Sequence, residues 1–287
     1  MQNETSQIRR VLMKHAEQAF VSQQKLASEW HALNYLSQPD FLRACAQSDA
    51  LAEILTGLGC SIEWLGADQT VGIDSIYVRD NAIASDQGMI LCQMGKEARR
   101  PEPAAMAPGL EQAGVPLLGR IDGSGKIEGG DLIWLDGDIL AVADGYRTNA
   151  EGVRQLKEYL GASVSEIITV PLPHWNGPGD VLHLMSFISP IAPDLALVYS
   201  RMMPVLFREW LQQRGITLIE VPDEEYDSMG CNVLAVAPRV AVMLEGNPVT
   251  RRRLEKVGVE IHTYDGSEIS AKGCGGPTCL TRPLERG

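Results

Sequence analysis

Residues 233–264 read VLAVAPRVAVMLEGNPVTRRRLEKVGVEIHTY, a succession that predicts the repeating unit of the fold. Residues 233–237 and 240–244 are short apolar runs separated by a proline–arginine pair, which indicates two strands joined by a tight turn. Residues 249–257 have helical spacing of apolar positions and end before a glycine, as helices commonly do. Glu260–Tyr264 then alternates as a strand. The segment therefore predicts a strand–strand–helix–strand (ββαβ) unit.

The same order of elements recurs along the chain about five times, at roughly 50–60 residues per unit. Neither a linker nor a low-complexity tract divides the sequence, so we expect one α/β domain over residues 1–287. Outside the quoted segment, the predicted strands are 8–13, 61–65, 74–84, 89–92, 115–118, 131–135, 139–142, 167–170, 181–188, 195–199 and 217–221. The predicted helices are 23–36, 41–58, 103–113, 150–160 and 204–214.

The charge balance argues against nucleic acid and membrane surfaces as partners. The 287 residues include 25 Lys and Arg against 37 Asp and Glu, a formal net charge of −12. Binding to nucleic acid phosphates needs clustered cations, and anionic membranes attract polybasic segments. A negative field suits a small cationic substrate, although it also serves solubility.

Cysteine usage and the first residues predict a cytoplasmic protein. The 6 cysteines are scattered over a long chain, unlike a small disulfide scaffold, and Met1-Gln2-Asn3-Glu4 begins no secretory signal. The sequence has neither a CxxC pair nor an HxH or HExxH motif, so we expect no metal and no cofactor.

Cys279 is the candidate nucleophile. It lies in Lys272-Gly273-Cys274-Gly275-Gly276-Pro277-Thr278-Cys279, where the glycines allow close backbone approach to a ligand. A thiolate is the strongest side-chain nucleophile near neutral pH. The alternative is a small buried hydrophobic residue, which is the usual role of a single cysteine.

His183 and several acids are candidates for proton transfer and cation binding. His183 lies in an apolar run, where a polar ring needs a partner, although a structural core histidine is equally consistent with that position. Asp74 and Asp80 are six residues apart and would share one face of a strand. Glu128 begins the turn Glu128-Gly129-Gly130-Asp131. Converging carboxylates would hold a planar guanidinium by bidentate hydrogen bonds, whereas turn acids can also simply cap turns.

Taken in order, these motifs resemble the guanidino-group-modifying (pentein) superfamily, and most of all its dimethylarginine dimethylaminohydrolase branch. The resemblance covers about residues 8–283 and implies a five-bladed α/β propeller of ββαβ units. The positions that carry it are Asp74 to Asp80, Arg99-Arg100, Glu128 to Asp131, Arg147-Thr148-Asn149, His183-Leu184 and Cys279.

The resemblance also implies roles. Cys279 would attack the guanidinium carbon, His183 would act as general acid and base, and Glu128 would pair with His183 or the substrate. Substrate binding would fall to the remaining matched positions, with the acids on the guanidinium and the arginines on the α-carboxylate. These are Asp74, Asp80, Arg147 and either Arg99 or Arg100.

The implied reaction converts dimethylarginine to citrulline and dimethylamine through a covalent thiouronium. Three alternatives stay open: arginine deimination or dihydrolysis, amidino transfer to an amine, and a non-catalytic binding protein. Met185 stands where arginine deiminases carry an aspartate, which favours an alkylated guanidine. The loop 173–180 precedes His183 and could face the substrate. A homodimer is one open alternative for the oligomeric state.

Overall fold

The computed structural model describes residues 2–180 and 182–287. Val181, the first residue of the predicted strand 181–188, lies outside the described residues. The strands are β1 (Ile8–Met13), β2 (Ser61–Trp64), β3 (Ala82–Ser85), β4 (Gly88–Leu91), β5 (Leu117–Arg120), β6 (Leu132–Asp136), β7 (Ile139–Asp144), β8 (Glu166–Pro171), β9 (Ile188–Ala192), β10 (Leu195–Val198), β11 (Thr217–Glu220), β12 (Leu234–Ala237), β13 (Val240–Leu244), β14 (Glu260–Tyr264) and β15 (Arg282–Arg286).

The α-helices lie between strands of these sheets. They are α1 (Ala16–Phe20), α2 (Gln23–Glu29), α3 (Phe41–Gly57), α4 (Glu102–Gln112), α5 (Ala150–Leu160), α6 (Val205–Gln213) and α7 (Pro248–Lys256). Across residues 2–180 and 182–287, none of the helices combines the length and the apolar character needed to cross a membrane.

In the described part of the chain, the strands form five three-stranded sheets. In four of them, an antiparallel hairpin is followed by a helix and a third strand that pairs in parallel with the second, as in β12-β13-α7-β14. The α/β class and the strand order predicted from residues 233–264 are therefore confirmed.

The fifth sheet joins the two ends of the chain. β1 pairs in parallel with β2 on one side and antiparallel with β15 on the other. The C-terminal strand β15 thus has the position that the first strand of the hairpin has in each of the other four sheets. The sequence Arg282-Pro283-Leu284-Glu285-Arg286 has no apolar run, and this strand was not predicted.

The predicted strand over residues 74–84 is wrong. Two successive 3₁₀ helices, Ile73–Ile76 and Val78–Asn81, precede the short strand β3. Asp74 lies in the first of these 3₁₀ helices and Asp80 in the second, with Tyr77 between the two. The periodicity of so short a run does not distinguish a strand from two short 3₁₀ helices, which is why the strand prediction failed.

The predicted strand over residues 181–188 is also wrong. Its described part contains a 3₁₀ helix, Leu184–Ser186, and strand β9 begins only at Ile188. The Ser186 hydroxyl accepts a hydrogen bond from the His183 backbone N–H at 3.0 Å, and the Ser186 N–H donates to the His183 carbonyl at 3.0 Å. These local bonds turn the chain at His183 instead of extending it.

Candidate active site

A cavity of about 380 Å³ collects most of the sequence-predicted residues. Among the described residues that line it are Asp74, Asp80, Arg99, Arg147, His183 and Cys279. They come from separate parts of the chain: the 3₁₀ turns before β3, the turn before α4, the turn before α5, the turn before β9 and the loop before β15. The fold therefore brings together groups that are as far as 205 residues apart in the numbering of the sequence.

His183 is held against Glu128. Its Nε2 lies 2.7 Å from Glu128 Oε2, and both side chains are buried. The other oxygen of Glu128 accepts the backbone N–H groups of Gly95 and Lys96 at 2.8 and 3.2 Å. Arg147 Nη1 lies 3.3 Å from both carboxylate oxygens. This set of donors fixes the carboxylate and hence the orientation of the imidazole.

Asp80 lies on the other side of the same ring. Its Oδ1 is 3.7 Å from His183 Nδ1 and accepts the Gly130 N–H at 3.0 Å. Gly130 allows this approach, since a Cβ there would lie 2.5 Å from His183 Nδ1 and 2.7 Å from Asp80 Oδ1. Any larger residue at position 130 would displace the histidine or the aspartate.

The surrounding carboxylates keep His183 protonated. Burial alone would lower the pKa of His183, but Asp80, Asp131 and Glu128 together raise it to about 9. Burial would likewise raise the pKa of Glu128, yet the hydrogen bond and charge of His183, with the charge of Arg147, hold it well below the ordinary value of 4.5. At neutral pH the pair is therefore an imidazolium and a carboxylate, a form that can donate a proton.

Cys279 is positioned by Asn232. The amide Nδ2 of Asn232 donates to the Cys279 sulfur at 3.3 Å, while its Oδ1 accepts from the N–H and the hydroxyl of Thr278 at 3.1 and 2.8 Å. Gly276 packs on the same amide, where a Cβ would lie 2.4 Å from Asn232 Oδ1. One side chain thus holds the loop that carries the cysteine and donates to its sulfur.

The thiol of Cys279 is protonated in the absence of a cation. Burial raises its pKa above the ordinary value of 9.0, and the negative charge of Asp80 raises it further. The hydrogen bonds from Asn232 and Thr278 act in the opposite direction. A positive charge placed in the cavity would favour the thiolate by Coulombic attraction.

Asp74 lines the cavity and forms an ion pair with Lys96, a residue that was not predicted from the sequence. Lys96 Nζ lies 2.6 Å from Asp74 Oδ2 and 2.9 Å from the Leu33 carbonyl oxygen, and Lys96 also lines the cavity. A lone lysine after a glycine carries no sequence signal for such a role.

The two adjacent arginines have different positions. Arg99 is buried and lines the cavity, with Nη1 2.6 Å from Asp80 Oδ2 and a bidentate contact to Glu102 at 2.8 to 3.1 Å. Its Nη2 also donates to the Tyr77 carbonyl at 3.0 Å. Arg100 is exposed, pairs with Glu97 at 3.3 Å, and is not among the described residues that line the cavity. Arg99 therefore forms ion pairs with both Asp80 and Glu102, and Arg100 lies away from the site.

Asp131 is buried and contacts the segment that contains His183. Its Oδ2 accepts the Thr148 hydroxyl at 2.7 Å, and its Oδ1 accepts the Leu184 N–H at 3.1 Å. Burial raises the pKa of Asp131 to about 6. Asp131 thus links the turn Gly129-Gly130-Asp131 to the 3₁₀ helix Leu184–Ser186, which follows His183.

The outer part of the cavity is formed by the loop 173–180 and by apolar and aromatic side chains. Trp175, Asn176 and Asp180 line it from that loop, and Tyr226 lines it from another part of the chain. Trp175 meets the Tyr226 ring edge-on at 6.1 Å between centroids. Met185 also lines the cavity.

One trio of side chains has the geometry to hold a metal ion. Within residues 2–180 and 182–287, Asp80, Glu128 and His183 offer ligand atoms that lie within 4.8 Å of one another. In the structure, Glu128 pairs with His183 and Asp80 pairs with Arg99. Charge pairing accounts for this trio without an ion, and a site free of metal stays a prediction.

Comparison with known proteins assigns this chain to a family. The sequence model of the arginine deiminase family matches residues 74–206 and 203–286, most of the chain. The chain belongs to the arginine deiminase family. The resemblance to the pentein superfamily is thereby confirmed, close to its dimethylarginine dimethylaminohydrolase branch.

Relatives of this arginine deiminase family member include proteins of both known and unknown activity. The uncharacterized protein YkgA of Bacillus subtilis is 32% identical over 214 residues, which cover 75% of this chain and 71% of YkgA. The dimethylarginine dimethylaminohydrolase of Pseudomonas aeruginosa is 27% identical over 253 residues, covering 86% of this chain and 91% of the relative.

A solved structure has the same fold. A mutant of the Pseudomonas aeruginosa dimethylarginine dimethylaminohydrolase, complexed with citrulline, superposes with a TM-score of 0.77 at 25% identity, covering 96% of this chain and 98% of the other. The sheets described above are therefore those of a pentein fold.

Proposed function

We propose that this protein is a cysteine hydrolase that acts on the guanidinium carbon of a substituted arginine. One observation carries the proposal: Cys279, the protonated His183 and the carboxylates of Asp74 and Asp80 line one cavity. This combination supplies a nucleophile, an acid and a site for a cation.

The substrate cation would bind first. Asp80 accepts one bond on each oxygen, and a carboxylate has about four lone-pair sites, so it can still accept bonds from a guanidinium. The bound cation would lower the pKa of the Cys279 thiol, which burial and Asp80 raise in the free protein. The nucleophile would thus be formed when its substrate is present.

The reaction would then proceed in two steps. The Cys279 thiolate adds to the central guanidinium carbon, and His183 gives its proton to the leaving amine as the carbon–nitrogen bond breaks. The product on the enzyme is an S-alkyl thiouronium. His183, now neutral, takes a proton from water, whose oxygen attacks that carbon and releases the urea and the Cys279 thiol.

We infer dimethylarginine as the first candidate substrate, with citrulline and dimethylamine as products. The dimethylarginine dimethylaminohydrolase of Pseudomonas aeruginosa aligns with 86% of this chain. Met185 gives the cavity a thioether at 4% exposure, which suits N-methyl groups. The proposal includes the arrangement of the five sheets as blades of one propeller, in a single domain.

Arginine deimination is the second candidate, because the matching family model is that of arginine deiminase. Amidino transfer would use the same thiouronium with an amine in place of water. A binding protein without activity would retain the fold but turn over none of these compounds.

A panel of guanidines separates these functions. Purified protein is incubated with dimethylarginine, monomethylarginine, arginine and arginine plus glycine, and ureido product and released amine are quantified. The proposed function predicts citrulline with stoichiometric dimethylamine. It also predicts loss of this activity in Cys279→Ser. The matched control is Cys274→Ser, because Cys274 lines the same cavity but is not the proposed nucleophile, and this variant should retain the activity. Ammonia release from arginine alone would favour the second candidate, and no turnover of any compound would favour a binding protein.

A further inference from the structure

Lys96 fills an ammonium site in the wall of the cavity. Its Nζ lies 2.6 Å from Asp74 Oδ2 and 2.9 Å from the Leu33 carbonyl oxygen. A carboxylate and a carbonyl oxygen at such distances are suitable acceptors for an ammonium group, which has three N–H donors. The cavity therefore contains acceptors for an ammonium, and a side chain of the protein itself occupies them.

The pair of Lys96 and Asp74 is part of the cavity wall. Both residues line the cavity, and the Asp74 side chain is buried. The backbone of Lys96 is also held in place, because its N–H donates to Glu128 Oε1 at 3.2 Å. Removing one partner of a buried ion pair leaves the other charge uncompensated, which is costly. The ammonium of Lys96 is therefore strongly retained on Asp74.

The Lys96 ammonium is separate from the groups that would act on the guanidinium carbon. Asp80 lies beside those groups, with Oδ1 3.7 Å from His183 Nδ1. In the described part of the chain, no hydrogen bond or ion pair joins Asp74 to His183 or Cys279. A substrate whose guanidinium is held by Asp80 would therefore meet Lys96 with another part of its structure.

Lys96 is also the most accessible lysine or arginine among the described residues that line the cavity. Its side chain is 20% exposed, whereas those of Arg99 and Arg147 are 4% and 6% exposed and pair with buried carboxylates. Asp74 and Leu33 accept two of the three N–H donors of Lys96. The third donor can bind a carboxylate of a substrate.

A substrate ammonium at the same place would compete with Lys96. It would have to displace a side chain that is tethered to the site and therefore has a high effective concentration there. If it bound beside Lys96 instead, it would experience repulsion between like charges. A substrate without an ammonium at this end avoids both costs.

We propose that Lys96 selects a substrate that has a carboxylate but no ammonium at the end remote from the guanidinium. The class is an N-substituted ω-guanidino acid without an α-amino group. This inference rests on the proposed function for the guanidinium end and narrows the substrate class at the other end. Dimethylarginine would remain a substrate, but a weaker one than its analogue without the α-amino group.

Calorimetric binding to the Cys279→Ser protein tests the inference without requiring turnover. The two compounds are dimethylarginine and its desamino analogue, the dimethylguanidino derivative of pentanoate, which differ only in the α-amino group. The analogue should bind about tenfold more tightly or better. Adding Lys96→Met should reverse this order, because Asp74 can then accept the ammonium of dimethylarginine.

Two further variants separate this role from a structural one. Lys157→Met, at an exposed position, is the matched control and should keep the order of the parent protein. Lys96→Met leaves Asp74 without its partner, so the combined variant Asp74→Asn/Lys96→Met removes both charges. It should bind the two compounds within about threefold of each other, since neither an ammonium nor its acceptor charge remains.

The affinities of the two compounds decide the outcome. Equal affinities while Lys96 is present, as expected if the ammonium of dimethylarginine binds at Asp180 or Asp227 instead, would overturn the proposal. Equal losses of affinity for both compounds in Lys96→Met, or binding of neither compound, would also overturn it. Failure of the proposed function has a different signature, in which both compounds bind in the predicted order but the wild-type protein releases no amine from either.

Discussion

His183 Nε2 lies 2.7 Å from Glu128 Oε2, and its other ring nitrogen lies 3.7 Å from Asp80 Oδ1. The imidazole is thus held between two buried carboxylates, one fixed by backbone N–H groups and the other by Arg99 and Gly130. This arrangement sets both the orientation and the charge of the ring. Because the neighbouring carboxylates raise the pKa of His183 to about 9, the ring is protonated at neutral pH and can act as the proposed acid.

The first prediction concerns the pH dependence of activity. Protonated His183 is the acid, so kcat/KM should fall as pH rises through about 9. Glu128→Gln removes a negative charge beside the ring, and the falling limb should move to lower pH by about 1–3 units. The pH profile of kcat/KM for dimethylarginine measures the shift.

The exposed variant Glu97→Gln is the matched control and should leave the limb in place. Iodoacetamide alkylation of Cys279 across the same pH range separates thiol ionisation from that of His183. An unshifted limb in Glu128→Gln would exclude His183 as the group observed.

The same raised pKa has a consequence for stability. A histidine whose pKa rises on folding stabilises the folded state fully below its ordinary pKa of 6.5, and this contribution is lost as pH rises through about 9. The urea-derived free energy of unfolding of wild type should therefore fall across this interval more steeply than that of His183→Gln. Parallel curves for the two proteins would contradict this.

Asn232 should be a positioning residue for the nucleophile. Asn232→Ala removes the donor at 3.3 Å from the Cys279 sulfur, and a hydrogen bond to a charged group contributes about 1.5–3 kcal/mol. We expect kcat/KM to fall roughly 10- to 100-fold and the thiol pKa to rise, as followed by alkylation rate. Asn176→Ala, on the outer wall of the cavity, is the control. An unchanged alkylation profile in Asn232→Ala would remove Asn232 from this role.

Met185 should determine the preference between alkylated and free arginine. Met185→Asp replaces an apolar wall by a carboxylate that can accept bonds from an unsubstituted guanidinium. The ratio of kcat/KM for arginine to that for dimethylarginine should rise about tenfold or more, whereas Met185→Leu should keep the wild-type order. If the two variants shift the ratio equally, the apolar character of the side chain at position 185 is not the determinant.

The arginine pair at 99 and 100 offers a test within two adjacent positions. Arg99→Gln leaves the buried carboxylates of Asp80 and Glu102 without their partner and should cost roughly 3–5 kcal/mol of unfolding free energy. Arg100→Gln loses only an exposed ion pair and should stay within about 0.5 kcal/mol of wild type. Urea unfolding measures both, and similar losses would contradict the burial difference.

The regular part of the fold could be predicted from sequence because its signals are local. In residues 233–264, apolar runs, a turn pair and a glycine stop give β12, β13, α7 and β14 within a few residues of their observed ends. The closing strand β15 has no such signal, since its place is set by pairing with β1, at the other end of the chain.

The motif residues of the candidate site could also be predicted from the sequence, whereas their tertiary partners could not. The motif residues at 74, 80, 128, 147, 183 and 279 carry recognisable residue types in order, and they lie together in the structure. Lys96 and Asn232 were missed because their contacts depend on tertiary approach across 22 and 47 residues. The choice between Arg99 and Arg100 depends on which way a 3₁₀ turn faces, and adjacent identical residues carry no signal for that.

Mass spectrometry of an acid-quenched reaction tests the central claim most directly. Wild-type protein is mixed with excess dimethylarginine, quenched during turnover, and digested for peptide mapping. The account predicts a thiouronium adduct on the peptide that contains Cys279, retained in Cys274→Ser and lost together with turnover in Cys279→Ser. Citrulline formation by Cys279→Ser at the wild-type rate, or turnover with the adduct on another residue, would contradict it.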